Sequence, residues 1–243
     1  MIPLYLDKSK INTYLSCGYR YYLEYVKQVE KEKLPELILG NDFHFITSKF
    51  YDYVNDTSKE HFYKVIEQIV KDNNISMNEE LKKLLNNFVQ FEHERIMKCI
   101  KKGKPELFKP VVNEQYFKDD ELLLEGTVDR VFKDFDNKLI LMEIKTGQLP
   151  MYKTTVEALT REMAIYHLIL KKNNILCEKF YIYYPRKNHI FEVQIYDRIL
   201  AKTIRTIKKV RANIEAGIFN KNKGLKCKNC PVLKYCVNTD AHT

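Results

Sequence analysis

The chain has 243 residues, 45% hydrophobic and 30% charged, with seven Gly and seven Pro. That suits a globular protein with a sizeable core and excludes collagen-like or Gly/Ser-rich disordered chains. The balance of 41 basic and 32 acidic residues leaves a net charge of +9, which favours a polyanionic partner such as nucleic acid without establishing one. No apolar run approaches the ~20 residues of a membrane span, and the opening Met-Ile-Pro-Leu-Tyr-Leu-Asp-Lys lacks the apolar stretch of a signal peptide, so no membrane contact and a cytoplasmic location are expected.

In chain order, Leu4, Ile11, Tyr14, Leu15, Tyr22, Leu23 and Val26 recur at helical spacing and predict a helix over Ser9 to Glu30. Lys31 to Pro35 breaks it, and Gly40 opens a second segment containing Asp42, His44, Ile46 and Tyr51. Asp56-Thr57-Ser58 reads as the N-cap of a helix from Lys59 to Lys71. A longer helix starts at Ser76 to Glu80, carries Leu81, Leu84, Leu85, Phe88 and Phe91, and ends near Lys102 before Gly103-Lys104-Pro105. The pattern then becomes extended. Pro110 to Phe117, Glu121 to Phe132 and Lys138 to Lys145 read as strands, the last two as a hairpin turning at Asp134 to Asn137. Gly147 to Pro150 is a loop, Thr154 to Leu170 a helix, Phe180 to Tyr184 and His189 to Ile195 strands, and Tyr196 to Ile214 a helix. The tail from Asn220 to Thr243 is polar and cysteine-rich. This order predicts an α/β core with helical material before it.

The hairpin carries the chemistry. Glu143 and Lys145 are two apart on a strand and so share a face, at the end of the otherwise apolar row Leu139 and Leu141. Ile144 points the other way, into apolar packing, and Asp129 can approach Glu143 across the hairpin. Two carboxylates and an ammonium at a sheet end suit a hard divalent cation, Mg²⁺ or Mn²⁺, which prefers oxygen ligands. Such a cation polarises a phosphate, and the lysine orients a water and offsets charge. The competing interpretation is an exposed cross-strand ion pair worth a few tenths of a kcal/mol.

Asp129 followed by Glu143-Ile144-Lys145 resembles the Asp…Glu-x-Lys signature of the PD-(D/E)XK nuclease superfamily. Gly40-x-x-x-His44 resembles the histidine motif of RecB-like nucleases, and the resemblance implies that the imidazole joins the metal ligands. Glu162-Met163-Ala164-Ile165-Tyr166 occupies the place of the family's Gln-x-x-x-Tyr motif, which contacts nucleic acid. Here Glu162 replaces Gln, so an amide donor becomes an anion, while Tyr166 matches.

Six cysteines are present: Cys17, Cys99, Cys177, Cys227, Cys230 and Cys236. In a cytosolic chain they are expected to be metal ligands or buried thiols rather than disulfides. Cys227, Cys230 and Cys236 have the spacing C-x2-C-x5-C, which suits a soft metal. Spacing alone permits zinc, with Cys17 or His242 as fourth ligand. The segment Ser16-Cys17-Gly18-Tyr19-Arg20 resembles the Cys-Pro-Arg opening of iron–sulfur RecB-like nucleases, with Gly18 in place of Pro, and implies a [4Fe–4S] cluster on Cys17, Cys227, Cys230 and Cys236. Cys99 and Cys177 read as ordinary buried cysteines.

The ordered set of motifs, from Cys17 to Cys236, resembles the CRISPR-associated exonuclease family called Cas-four. The resemblance implies a restriction-endonuclease-like fold, a mixed central β-sheet flanked by helices, with an N-terminal helical region and a cysteine-bound cluster joining the two ends. It implies one nuclease domain over 1–243, a helical insertion over 45–108, and a cluster site at 17 and 225–238. His44, Asp129, Glu143 and the Ile144 carbonyl would hold the cation, Lys145 would activate or position water, and Tyr166 with Glu162 would orient the strand. The implied substrate is DNA, single-stranded or with free ends. Helicase or CRISPR adaptation proteins would act in trans, since the only Gly-Lys pair, Gly103-Lys104, is not part of a P-loop. Arg20, Arg161 and Arg186 are candidate phosphate contacts. The rivals are a non-catalytic iron–sulfur adaptor, a sequence-specific endonuclease, and a zinc-stapled interaction protein.

Overall fold

A computed structural model of the chain describes residues 5–32 and 34–237. Helix α1 (Lys8–Ser16) starts where Asp7 accepts a hydrogen bond from the Lys10 amide. It ends at Cys17, whose backbone is extended, and α2 (Gly18–Tyr21) runs on into a wide π-type turn at Tyr22–Val26. The single helix expected over Ser9 to Glu30 is therefore broken at Cys17, because that residue and Tyr19 turn aside to meet residues 220–222. The Tyr19 amide donates to the Asn220 carbonyl at 3.1 Å.

Pro35 supplies the first turn of α3 (Pro35–Tyr53), so Gly40 lies inside that helix rather than opening it. Ser58 caps α4 (Lys59–Asp72), and Asn78 caps α5 (Glu79–Lys101). The sheet follows as β1 (Val112–Asp119), β2 (Leu124–Lys133) and β3 (Leu139–Ile144). Helix α6 (Lys153–Lys172) then leads to β4 (Cys177–Tyr184) and β5 (His189–Glu192), and α7 (Asp197–Glu215) and the short α8 (Leu233–Val237) close the described chain.

The five strands lie in the order β1-β2-β3-β4-β5, with antiparallel pairs except the parallel β3–β4 pair that α6 bridges. A further parallel bridge joins Leu6 to Leu124: the Leu6 amide donates to the Leu123 carbonyl, and the Glu125 amide to the Leu6 carbonyl. Strand alternation splits the core between the two faces. Leu141, Phe180, Ile182 and Tyr184 pack with α1, α6 and α7, while Phe132, Met142, Ile144 and Tyr183 pack with α3, α4 and α5. The expected mixed sheet flanked by helices is the observed architecture. Among the described residues no helix is long and apolar enough to cross a membrane.

Candidate metal centre

Three carboxylates line up across the sheet. The β1–β2 register brings Glu114 opposite Asp129, and the β2–β3 register continues to Glu143. Glu114 has a left-handed backbone (φ 44°) and interrupts the ladder between the Asn113–Arg130 and Gln115–Val128 pairs. A left-handed Glu is strained. The strain switches the inward parity of both strands: Val112 and Phe117, and Val128 and Val131, enter the same core from positions an odd number of residues apart. This re-aims the Glu114 and Asp129 carboxylates towards α3.

There they meet His44. Gly40 and His44 are one turn apart on one face of α3. A Cβ on Gly40 would lie 3.3 Å from Thr146 Oγ1, so glycine lets the helix approach the end of β3. His44 Nδ1 is 2.9 Å from Glu114 Oε1 and 3.8 Å from Asp129 Oδ1. Ligand atoms of His44, Glu114 and Asp129 lie within 4.8 Å of one another, a spacing able to hold a metal ion. Asp129 Oδ2 accepts the Ile144 amide at 2.7 Å, leaving Oδ1 for other work. Behind the cluster the buried Arg130 guanidinium donates to Glu114 Oε1, Thr47 Oγ1 and the Asp129 carbonyl.

Glu143 is 2% exposed. Its Oε1 accepts from Lys145 Nζ at 2.8 Å and from Lys8 Nζ, whereas its buried Oε2 has no hydrogen-bond partner among the described residues. A buried, partnerless carboxylate oxygen is costly, and a cation removes that cost. The donor set, carboxylate oxygens and one imidazole, suits a hard divalent ion. Electrostatics agree. Burial, reinforced by the Glu143 charge, holds the Asp129 carboxyl above the usual carboxylate range. Burial would also raise Glu143, but the Lys145 and Lys8 ammoniums outweigh it and hold that carboxyl low. Burial would lower His44, yet the Asp129 charge and the Glu114 hydrogen bond raise it. Burial would lower both lysines, and Glu143 raises them, so both are ammonium groups.

Lys145 also pairs with Glu162 Oε2 at 2.7 Å, and Asn12 Nδ2 donates to Glu162 Oε1 at 2.8 Å. Tyr166 donates to the Thr127 carbonyl at 2.6 Å, and its ring lies 4.6 Å below the Lys8 ammonium and against Gly126. The structure thus brings together His44, Asp129, Glu143, Lys145, Glu162 and Tyr166, with the Ile144 side chain turned into the opposite core. Sequence reasoning missed Lys8, Asn12 and Glu114. The candidate phosphate arginines are engaged internally: Arg20 with Glu24, Arg161 with Asn12, Arg186 with Thr146 and Glu80.

The cysteines meet elsewhere. Cys17, Cys227, Cys230 and Cys236 line one cavity of about 40 Å³ with Arg20 and Leu23. None of the six cysteines, all among the described residues, is in a disulfide, and Cys99 and Cys177 are buried as expected. The Asn222 amide donates to Cys17 Sγ at 3.4 Å. Gly18 stands where the resembling motif has Pro for a steric reason: a Cβ there would lie 3.0 Å from the Asn220 nitrogen. His242 lies outside the described residues.

No curated protein matches the chain. Among solved structures it is similar to SSO0001, with 16% identity, a TM-score of 0.35, and 93% of this chain and 90% of that one covered. It is also similar to protein VC1899 from Vibrio cholerae, with 13% identity, a TM-score of 0.25, and 85% and 58% covered. The model of the PD-(D/E)XK nuclease superfamily matches residues 8–237, beginning at Lys8 and ending with the last helix, and the chain belongs to that superfamily.

Proposed function

We propose that the protein is a divalent-metal-dependent DNA nuclease that trims single-stranded ends. The observation that carries this reading is the partnerless, buried Glu143 Oε2 beside the His44–Glu114–Asp129 group. His44, Asp129 and Glu143 hold the cation, Glu114 joins them, and the Ile144 carbonyl is a further oxygen ligand. Mg²⁺ or Mn²⁺ supplies the positive charge that polarises the phosphate and acidifies water. Lys145, pinned as an ammonium between Glu143 and Glu162, positions the attacking water and offsets phosphate charge, and is no general base. Tyr166 and Glu162 orient the strand. The +9 net charge follows phosphates and makes binding salt-dependent. The preference for single-stranded ends rests on the resemblance to Cas-four nucleases, which also implies a cytoplasmic protein and helicase or CRISPR adaptation partners.

Cys17, Cys227, Cys230 and Cys236 hold a [4Fe–4S] cluster in this reading. Convergence of all four thiols on one cavity supports it. The choice of iron–sulfur over zinc rests on the resemblance to Cas-four nucleases, since thiolates hold either metal.

The test is cleavage of end-labelled single-stranded DNA with Mn²⁺ or Mg²⁺ by anaerobically purified wild type and Lys145→Ala. Cleavage by wild type alone supports the assignment. Normal cleavage by Lys145→Ala refutes the role of that lysine, and DNA binding with no cleavage by either protein favours the non-catalytic adaptor.

A further inference from the structure

A groove of about 310 Å³ opens onto the metal-ligand cluster, lined by Glu114, Asp129, Thr127, Tyr166 and the first turn of α1. Its lining includes four acidic residues, Asp7, Glu114, Glu125 and Asp129. Lys8 is the one basic residue among the described residues that line it. Along the walls of this groove an anionic backbone therefore meets Lys8, whereas Lys145 is not part of the lining.

We propose that Lys8 is a second catalytic lysine, whose ammonium donates to a non-bridging oxygen of the scissile phosphodiester. This rests on the nuclease reading above. The two lysines share Glu143 Oε1 but differ in what else they touch. Lys145 is divided between two carboxylates, at 2.8 and 2.7 Å. Lys8 has one carboxylate oxygen and the face of Tyr166, 4.6 Å from the ring centroid. An ammonium has three donors, so Lys8 keeps one for the groove. The unpartnered Glu143 Oε2 leaves room for a cation without displacing either lysine.

The surrounding charges support the assignment. Four carboxylates, Glu114, Asp129, Glu143 and Glu162, crowd this end of the sheet against Lys8, Lys145 and Arg130. Removing Lys8 takes away one positive charge and one donor from the oxygen that gathers negative charge in the transition state. Lys8 keeps its proton throughout and acts by charge and hydrogen bonding alone.

Lys8→Met keeps the length of the side chain and removes the charge, and Lys8→Arg keeps the charge. Both are compared with wild type for Mn²⁺-dependent cleavage of end-labelled single-stranded DNA, for Mn²⁺ affinity without DNA, and for thermal unfolding. The expected result is a loss of roughly 100- to 1,000-fold in kcat for Lys8→Met, the usual effect of removing one donor to a reacting oxyanion, with KM changed much less. Mn²⁺ should bind Lys8→Met as tightly as wild type or more tightly, since the site has become more negative. Lys8→Arg should recover at least a tenth of the activity. A Lys8→Met protein within about threefold of wild-type kcat overturns the inference, and so does weakened Mn²⁺ binding that accounts for the lost activity, because Lys8 then only shapes the site. If Lys8→Met does not fold, an inactive but folded Lys8→Arg overturns it. An inactive wild type sinks the nuclease reading and this inference together. An active wild type with an equally active Lys8→Met sinks the inference alone.

Discussion

Replacing Glu162 by Gln should weaken the protein, even though glutamine is what the family motif carries at this place. The reason lies in two donors that face the side chain. Lys145 Nζ sits 2.7 Å from Oε2 and Asn12 Nδ2 2.8 Å from Oε1. Asn12 cannot flip to present its carbonyl instead, because that oxygen accepts from Arg161 Nη2 at 2.6 Å and Nε at 3.2 Å, and a guanidinium has no acceptor to offer. A glutamine has one acceptor and one donor, so in either orientation one donor faces another. A lost hydrogen bond to a charged group costs about 1.5–3 kcal/mol and an unsatisfied buried donor about 1–3 kcal/mol. Glu162 is 13% exposed, and water relieves part of the mismatch, so the net cost is about 1–2 kcal/mol. In a chain of this size each kcal/mol is ~2–4 °C in Tm, giving a fall of about 2–8 °C. The assay is thermal unfolding of wild type, Glu162→Gln, Asn12→Asp and the double variant. In the double variant the new carboxylate at position 12 accepts from Arg161 and from the new amide at position 162, while the carbonyl of that amide accepts from Lys145. Stability should return, with a coupling of about 1 kcal/mol or more. An unchanged Tm for Glu162→Gln, or a double variant no better than the single, would refute the reasoning.

Cys230→Ser should bleach the anaerobically purified protein and lower its stability. Unchanged visible absorption and iron content would reject the cluster assignment. Gly18→Ala should destabilise by about 1–3 kcal/mol, as overpacking does, because its Cβ would press on backbone at Asn220 and Phe219 rather than on a side chain that can move aside. A denaturant midpoint at or above wild type would contradict this. The cation should bind more weakly as pH falls, because the raised Asp129 and His44 groups take up protons that compete with it. In the metal-free protein, the stability that comes from the raised Asp129 is present below the unfolded carboxylate range and lost as pH rises through its folded value. Added Mn²⁺ should therefore raise Tm more at about pH 8 than at about pH 5, and calorimetry at both values checks it.

Much of this site was legible because strands write their geometry into sequence. The alternation around Glu143-Ile144-Lys145 put the two charged residues on one face and Ile144 on the other, as found. The spacing of Gly40 and His44 put them on one helix face. Glu114 was invisible because its position is encoded by a single left-handed residue, and period-two reasoning assumes there is none. Lys8 was one of 41 basic residues and reaches Glu143 across 135 positions, a pairing that no local pattern announces. The break at Cys17 was hidden for another reason: the apolar positions resume nearly in phase after one extended residue, so the run looked continuous. Gly18 looked like a departure from a motif, and only the approach of residues 219–220 explains it.

The bridge between Leu6 and Leu124 also sets a timetable for synthesis. The segment that carries Lys8 is made early, yet the strand on which it docks follows some 118 positions later, from 6 to 124. At ribosomal speeds that is a delay on the order of ten seconds. Glu162 and Tyr166 come later still, and Asn220, which receives the Tyr19 amide, after them. The cluster around Glu143 is thus not assembled before Tyr166 has been made, and a chain that stops short of it never acquires the whole set.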